Sequence, residues 1–242
     1  MKESVVLLPG LQSDYPSWSF QTEHFGDRYN VVVPSGYHDN VTIDAMAQAI
    51  EPQLPERFHL VVWSMGGYIG FRMLADMADR ISSLVCIATS ARPENPDSTR
   101  RRLENLAVAE RDGMLAANIK TMAFSCQDID AVPPDRLKAV QDAAVRLGVK
   151  AYGAQQHAII DRDDSRPVIA GVRCPTLVIV GDNDKVTPPD CSEEIHQAIA
   201  GSRLVILDNC GHCPPLEKPE TVNAILEEWF AECAAQGLSL AR

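Results

Sequence analysis

The sequence has no uninterrupted apolar run of about eighteen residues, the length that a helix needs to cross a bilayer. Its first residues also lack a long apolar segment ending in a small-residue cleavage site, because residues 1–4 lead directly into a strand-like stretch. We therefore expect no membrane span and no secretory signal. The expected location is the cytoplasm.

Positive charge is also scarce. The 22 Lys and Arg residues are outnumbered by 33 Asp and Glu residues, which gives a formal net charge of −11. Nucleic acids and acidic membranes bind basic surfaces, so neither is an expected partner. With 242 residues, 45% hydrophobic and 23% charged, the composition is that of one globular domain with a substantial core.

The seven cysteines do not form the two close pairs that structural zinc sites usually need. Cys210 and Cys213 are close in sequence and bracket a histidine, so a metal or redox role is the alternative. The favoured interpretation is that both thiols pack around this loop. An odd cysteine number in a chain of this length indicates reduced thiols. We expect no metal and no organic cofactor.

Short apolar runs alternate with helical patterns through most of the chain. This alternation predicts an α/β fold, with a mostly parallel sheet flanked by helices on both faces. We count about six strands. The predicted strands are Val5–Leu8, Tyr29–Val33, His59–Trp63, Ile81–Thr89, Thr176–Val180 and Leu204–Leu207.

Residues 91–166 break this alternation, because they contain several helical patterns, the last over Asp135–Leu147, and no convincing strand. We predict that they form an inserted helical lid, and that residues 1–90 and 167–242 form the core domain. The apolar side chains of Met122 and Phe124 suit an acyl pocket beneath the lid. The alternative is that they pack the lid onto the core.

Ser64 lies between a predicted strand and a helix over Tyr68–Met77. A serine at such a sharp turn exposes its hydroxyl, and the first amides of the helix point towards whatever reacts there. The turn requires small residues on both sides, and Gly66 and Gly67 satisfy this requirement after the serine. Val62 does not satisfy it before the serine. The alternative is that Ser64 is an ordinary helix cap.

Two further loops place reactive side chains just beyond strand ends. Asp182 and Asp184 follow one apolar run, with Thr187 predicted as the cap and Pro188 as the first residue of the next helix. His212 follows the last predicted strand. In open α/β sheets, ligands bind and react at the carboxyl ends of the strands. The order along the chain is therefore serine, acid, histidine.

These motifs resemble the α/β-hydrolase fold superfamily over nearly the whole chain, and small bacterial serine carboxylesterases in particular. In those proteins the elbow reads S-M-G-G, the acid loop G-x-x-D-x-x-T-P-P and the histidine loop C-G-H-x-x-x-L-E-x-P. The resemblance implies Ser64 as nucleophile, Asp184 rather than Asp182 as the acid, and His212 as base. Asp208 and Glu217, which flank the histidine, are then structural.

The backbone N–H of Met65, next to the nucleophile, suits one donor of an oxyanion hole. The resemblance implies the N–H of Leu11 as the second. Leu11, Trp63 and Phe124 are the predicted substrate-binding residues. Trp18 is an alternative wall of the pocket, and either tryptophan is equally compatible with the core.

The expected function is a serine hydrolase of the carboxylesterase type, which cleaves esters of small or medium acyl chains through an acyl-enzyme. The alternatives are a lactone, thioester or carbon–carbon bond hydrolase with the same triad, or a non-catalytic ligand-binding protein. The partner is a small-molecule ester, and the chain is expected to be a monomer or homodimer. We predict that residues 100–102, three arginines, form a solvated helix face rather than a docking site for an acidic partner.

Overall fold

A computed structural model describes residues 2–235, so residue 1 and residues 236–242 of the predicted core lie outside the described part. Six strands form one parallel sheet in the order β2-β1-β3-β4-β5-β6. The predicted α/β architecture is confirmed, and each strand lies within a few residues of its predicted position. The strands are β1 (Ser4–Leu8), β2 (Asn30–Val32), β3 (Phe58–Trp63), β4 (Ile81–Ile87), β5 (Thr176–Gly181) and β6 (Arg203–Leu207).

Helices connect the strands and cover both faces of the sheet. Four short 3-10 turns also occur among the described residues, at 15–18, 51–53, 78–80 and 129–131. The α-helices are α1 (Ser19–Phe25), α2 (Ile43–Ile50), α3 (Met65–Met77), α4 (Pro96–Asp112), α5 (Met114–Ser125), α6 (Pro134–Ile160), α7 (Arg166–Ile169), α8 (Pro189–Ala198), α9 (Pro214–Glu217) and α10 (Pro219–Ala235).

The central strands are buried along their whole length because both of their faces are covered. Successive side chains of a strand point to opposite faces. In β3, Leu60 and Val62 therefore belong to one core, while Val61 and Trp63 belong to the other. Every residue of β3 is buried. This explains why the strands appear as continuous apolar runs instead of an alternating pattern.

The sheet has a switch point at β1, because the chain adds β2 on one side of it and β3 on the other. The carboxyl ends of β1 and β3 therefore lie side by side, with Leu8 in register with Val62. The loops that leave these two strands carry Gly10 and Ser64. A switch point of this kind is where open α/β sheets form their binding crevice.

The segment 91–166 is helical, as predicted, and contains α4, α5 and α6. The last helical pattern was predicted to end at Leu147, but α6 continues to Ile160 beyond a break in helical geometry at Gly148. The second half of α6 is not apparent from the sequence because Gln155 and Gln156 are buried among its apolar residues and interrupt the apolar pattern. The division of the chain into a core and a separate lid domain stays a prediction.

The start of α8 differs from the prediction by one residue. Pro188, not Thr187, occupies the capping position, and the helix begins at Pro189. Thr187 makes its hydrogen bonds to Asp184 instead. Within 2–235, no helix is both long and apolar enough to span a membrane.

Candidate active site

Ser64 lies at the sharp turn between β3 and α3. Its backbone has φ 52° and ψ −116°, in the left-handed region that a side chain rarely adopts. Strain of this kind costs on the order of 1–3 kcal/mol and persists only when the surroundings enforce it. The Ser64 N–H donates to the carbonyl of Ile87, and Thr89 Oγ1 donates to the carbonyl of Ser64 at 2.8 Å. These contacts from β4 and the residues after it hold the turn.

The two glycines after Ser64 are required by close packing. A β-carbon at Gly66 would overlap the carbonyl oxygen of Leu8, and one at Gly67 would overlap the side chain of Thr89. The first turn of α3 therefore lies directly against the ends of its neighbouring strands. The sequence-based expectation of small residues after the serine has this physical cause.

Val62 replaces the glycine that usually stands two residues before the nucleophile. Its side chain is fully buried and lies under α3 at Gly70, where an added β-carbon would come within 2.7 Å of Val62 Cγ1. The missing side chain at Gly70 thus leaves room for the extra one at Val62. The helix stays close to the strand without displacement.

His212 and Asp184 complete a chain of hydrogen bonds with the serine. The Ser64 hydroxyl lies 2.8 Å from His212 Nε2, and His212 Nδ1 lies 2.8 Å from Asp184 Oδ2. The carboxylate accepts only, so Nδ1 carries the proton and Nε2 accepts from the hydroxyl. The structure brings together all three residues that the sequence motifs proposed.

Asp184 is buried, and its carboxylate is held by its own loop. Oδ1 accepts the N–H groups of Val186 and Thr187 at 2.8 and 2.9 Å, and Oδ2 accepts the Thr187 hydroxyl at 3.0 Å. Burial acts to raise the pKa of this carboxyl. The charge and hydrogen bond of His212 and the loop amides outweigh it, so that the pKa of Asp184 is lowered overall.

Asp182 is exposed and does not reach the histidine ring. Its Oδ1 accepts the backbone N–H of Cys210 at 3.1 Å, which ties the acid loop to the histidine loop. This hydrogen bond is the main cause of the lowered pKa of Asp182. Of the two candidate acids, only Asp184 contacts His212.

Glu217 anchors the histidine loop to the end of α5. Oε1 accepts the N–H groups of Gly211 and Cys213, at 3.1 and 3.0 Å, and Oε2 accepts the Gln127 N–H at 2.7 Å. The His212 N–H donates to the carbonyl of Ser125 at 2.7 Å. The indole N–H of Trp63 donates to the carbonyl of His212 at 2.8 Å. The imidazole is therefore fixed through its backbone on three sides.

Cys126, Cys213 and Glu217 bring two thiols and a carboxylate together, with their ligand atoms within 4.8 Å of one another. The hydrogen bond with Cys126, together with burial, raises the pKa of the Cys213 thiol. Metal ligation needs a thiolate, and both Glu217 oxygens already accept amides. These donors suit packed thiols better than a metal ion. The thiol that lies next to Cys213 is therefore Cys126, and not Cys210 as the closeness in sequence suggested.

The predicted oxyanion donors lie at the ends of β1 and β3. Within the described part of the chain, neither the Leu11 N–H nor the Met65 N–H has an acceptor. A β-carbon placed on Gly10 would lie 3.4 Å from Ser64 Cβ, so the loop of Leu11 is next to the serine. The Met65 side chain packs into the core beneath α3.

A cavity of about 270 Å³ opens at Ser64 and His212, between the sheet edge and the helices of segment 91–166. Leu11, Trp63 and Phe124 all line it, as does Met122. Trp18 does not, because it is fully buried behind Trp63, with the ring centroids 6.1 Å apart. Most of the exposed cavity wall is apolar, and polar side chains such as Gln12 and Asn118 also line it.

The three arginines at 100–102 do not form one solvated face, so that prediction is wrong in part. Arg100 is exposed and pairs with Asp97. Arg101 and Arg102 both line the cavity. Arg102 is largely buried, and its Nε donates to Glu94 at 2.8 Å. One turn of helix therefore points its first arginine to solvent and the other two towards the site.

Sequence reasoning missed most of the polar lining of the cavity. Asn118 had no signal beyond its residue type, and Tyr152 and Gln156 lie on the unpredicted half of α6. The one available clue was the position of Gln12, directly after the predicted oxyanion residue. Buried polar side chains interrupt the apolar periodicity from which helices and pockets are inferred.

Comparison with known proteins supports the fold. Residues 4–219 match the sequence model of a family described as alpha/beta hydrolase fold. A pimeloyl-acyl-carrier-protein methyl ester esterase of Nitrosomonas europaea is 30% identical over 192 residues, and the match covers 74% of this chain and 73% of that protein.

Two solved structures are similar along nearly the whole chain. A thermophilic esterase from Thermogutta terrifontis, with malate bound, has a TM-score of 0.84 at 25% identity, and the match covers 96% of this chain and 91% of that one. The enol-lactonase from Burkholderia xenovorans has a TM-score of 0.81 at 25% identity, with 96% and 92% covered.

Proposed function

Because this chain belongs to the alpha/beta hydrolase fold family, we propose that it is a serine hydrolase that cleaves carboxylic esters through an acyl-enzyme. The proposed substrates have small or medium acyl chains. One observation carries the proposal: an unbroken chain of hydrogen bonds from the Ser64 hydroxyl through His212 to Asp184.

In the proposed first step, Ser64 Oγ attacks the ester carbonyl while His212 Nε2 takes the hydroxyl proton. A serine hydroxyl is a poor nucleophile near neutral pH, so it needs a base within hydrogen-bond distance. Asp184 holds the Nδ1–H tautomer and stabilises the imidazolium that forms. The lowered pKa of Asp184 keeps it ionised for this role.

The negative oxygen of the tetrahedral intermediate is proposed to accept the N–H groups of Leu11 and Met65. The loss of one such donor typically costs about 3 kcal/mol of transition-state stabilisation. His212 then gives its proton to the leaving alcohol, and a water molecule activated by the same imidazole releases the acid.

Relatives suggest which esters to test first. The Nitrosomonas europaea relative is named as a methyl ester esterase, and the similar thermophilic protein is an esterase. We therefore propose methyl esters of carboxylic acids as the primary substrates. Lactones are the second candidate, because the enol-lactonase is equally similar in identity and a lactone is an internal ester.

The decisive experiment is turnover of a panel of methyl esters, lactones and thioesters, together with labelling by a fluorophosphonate probe. Ser64→Ala is expected to abolish labelling and to lower kcat by roughly 10⁶-fold, as for other triad nucleophiles. The exposed Ser35→Ala is the matched control and should behave as the unaltered protein does. A protein that binds these esters but is neither labelled nor active would instead be a non-catalytic ligand-binding member of the fold.

A further inference from the structure

A layer of buried amide side chains lies beside the predicted oxyanion loop. Gln12 and Asn118 are each 2% exposed, and both line the cavity at Ser64. Asn118 Nδ2 donates to Gln12 Oε1 at 2.9 Å. The Gln12 backbone N–H donates to Gln155 Oε1 at 3.0 Å, so the residue after Leu11 is fixed from α6. Two carboxamides, on separate elements, thus meet at the wall of the cavity.

This pair leaves one donor and one acceptor unused. Gln12 Nε2 and Asn118 Oδ1 are both buried, and neither has a partner at ordinary hydrogen-bond geometry among the described residues. The Gln12 amide lies near enough to the Tyr152 hydroxyl to oppose the burial that raises the pKa of Tyr152. Exchanging the N and O atoms of both amides together preserves their mutual bond and again leaves one free donor and one free acceptor. Buried polar groups are normally hydrogen-bonded, and each exception requires an explanation.

Further polar side chains are hydrogen-bonded to one another near the pair. Gln156 Nε2 donates to the Tyr152 hydroxyl at 2.7 Å, and Gln156 Oε1 accepts from Arg102 at 3.3 Å. The side chain of Asn118 belongs to α5, while Gln156 and Tyr152 belong to α6. Burial raises the pKa of Tyr152, so its hydroxyl keeps its proton at neutral pH.

The charges around the pair are one arginine that is paired within the protein and exposed side chains on the cavity wall. Arg102 is the charge that contacts this network, and it pairs with the buried Glu94, which also pairs with Arg162. Arg101 and Lys120 line the cavity too, but both are exposed, and Glu104 lies among them. The amide pair itself is uncharged, whereas Arg101 and Lys120 leave an excess of positive charge elsewhere on the cavity wall.

We propose that Gln12 and Asn118 form a subsite for a neutral substrate group that both donates and accepts hydrogen bonds, namely a hydroxyl or a carboxamide. The substrate class is then an ester that carries such a group, rather than a plain alkyl ester. This inference rests on the proposed function for the position of the scissile bond at Ser64. Binding of a polar group at Gln12 and Asn118 does not itself require that the ester is hydrolysed.

Such a subsite discriminates because an alkyl chain leaves the two buried amide groups without partners. The penalty for an unpaired buried polar group is what allows hydrogen-bonding sites to reject analogues that lack the matching group. A substrate group that pairs with both positions supplies the hydrogen bonds that an alkyl chain of the same length cannot make.

The test compares methyl esters of increasing chain length in four forms: plain alkyl, ω-hydroxy, ω-carboxamide and ω-carboxylate. At the optimal length, kcat/KM for the hydroxy or carboxamide ester should exceed that of the equally long alkyl ester by about tenfold or more. Which of the two is preferred identifies the group. A preference for the carboxylate would overturn the proposal in favour of recognition by Arg101 or Lys120.

Two near-isosteric variants test the residues. Gln12→Met and Asn118→Leu should each bring the ratio of polar to alkyl kcat/KM towards one, chiefly by weakening turnover of the polar ester. Gln197→Met, at an exposed position of α8, is the matched control and should keep the ratio. Circular dichroism and thermal unfolding show whether each variant is folded. An unchanged ratio in both folded variants would overturn the proposal.

Binding to Ser64→Ala, measured by titration calorimetry, separates this proposal from the proposed function. Tighter binding of the hydroxy or carboxamide compound than of the alkyl one supports the subsite even if no ester is hydrolysed. Active hydrolysis with equal or better use of the alkyl esters leaves the proposed function intact and refutes the subsite.

Discussion

Ser64, His212 and Asp184 each depend on a different local constraint. The serine is held in a left-handed backbone conformation by β4 and the residues after it, the histidine through its backbone amide and carbonyl, and the carboxylate by the amides of its own loop. Preorganisation of this kind lets the three groups meet without rearrangement when substrate binds. The cost is local strain and a buried charge.

The lowered pKa of Asp184 predicts a dependence of stability on pH. The unfolded chain binds a proton to this carboxyl more readily than the folded chain does, so ionisation stabilises the fold above the unfolded pKa of about 3.9. That contribution is lost as pH falls through the lower, folded value. The free energy of unfolding of the unaltered protein, relative to that of Asp184→Asn, should therefore fall as pH is lowered below about 4.

Urea unfolding at several pH values measures this difference. Comparison with Asp184→Asn removes the contribution of other carboxyls such as Asp182, which both proteins share. A difference that stays constant as pH is lowered would mean that the environment of Asp184 does not favour its ionised form.

At the scale of elements, the contact between β3 and α3 explains how this elbow accommodates a valine. Val62 fills the space that Gly70 leaves open on the helix. Two positions eight residues apart are therefore coupled, although each breaks a simple rule when it is considered alone. A glycine in a helix interior and a branched residue two positions before Ser64 compensate each other.

Gly70→Ala is expected to destabilise the protein by about 1–3 kcal/mol, because its β-carbon would come within 2.7 Å of Val62 Cγ1. The double variant with Val62→Ala should lose less stability than the sum of the two single variants. Gly153→Ala is the matched control in α6, since its β-carbon would be 3.7 Å from Leu106. It should be neutral or stabilising in urea unfolding. Strict additivity of the first pair would contradict the packing argument.

Glu217 couples the histidine loop to α5, and Glu217→Gln tests this coupling. The substituted amide presents a donor to backbone N–H groups that now bond to a carboxylate. We expect a loss of about 2 kcal/mol or more in the free energy of unfolding, and a lower kcat because His212 is held less firmly. Glu193→Gln, exposed on α8, should change neither. Equal behaviour of the two variants would argue that Glu217 has no anchoring role.

At the scale of the whole molecule, the parallel sheet and its switch point place the ends of β1 and β3 side by side under the helices of segment 91–166. Buried ion pairs connect these helices to the loop before them: Glu94 lies between Arg102 of α4 and Arg162 beyond α6. Arg162 also stacks on Tyr68, with its guanidinium carbon 4.3 Å from the ring centroid. The cavity is thus walled by elements from distant parts of the chain.

The excess of acidic residues predicts that the protein does not bind nucleic acids. With a formal net charge of −11, the surface repels phosphates. Fluorescence anisotropy with labelled duplex DNA at low salt should show no saturation below roughly 0.1 mM protein, the weak end of ordinary non-specific binding. Tighter, salt-sensitive binding would reveal a basic surface that the overall charge conceals.

The sequence by itself determined the α/β class, the strands and the motif residues at their ends. Apolar runs, helix caps and the order of serine, acid and histidine are local signals, each readable within a few residues. Because these signals are local, they also mislead: they place the start of α8 one residue early and end α6 at the break near Gly148.

Only the tertiary structure shows that Asp184, and not Asp182, contacts His212. It also shows that Val62 packs against Gly70, and that Arg102 lines the cavity. It alone brought Gln12 and Asn118 together, residues 106 positions apart in the chain. The physical reason is that a buried polar contact depends on the partner across space. Neither side chain of such a pair carries a sign of the other in its own neighbourhood.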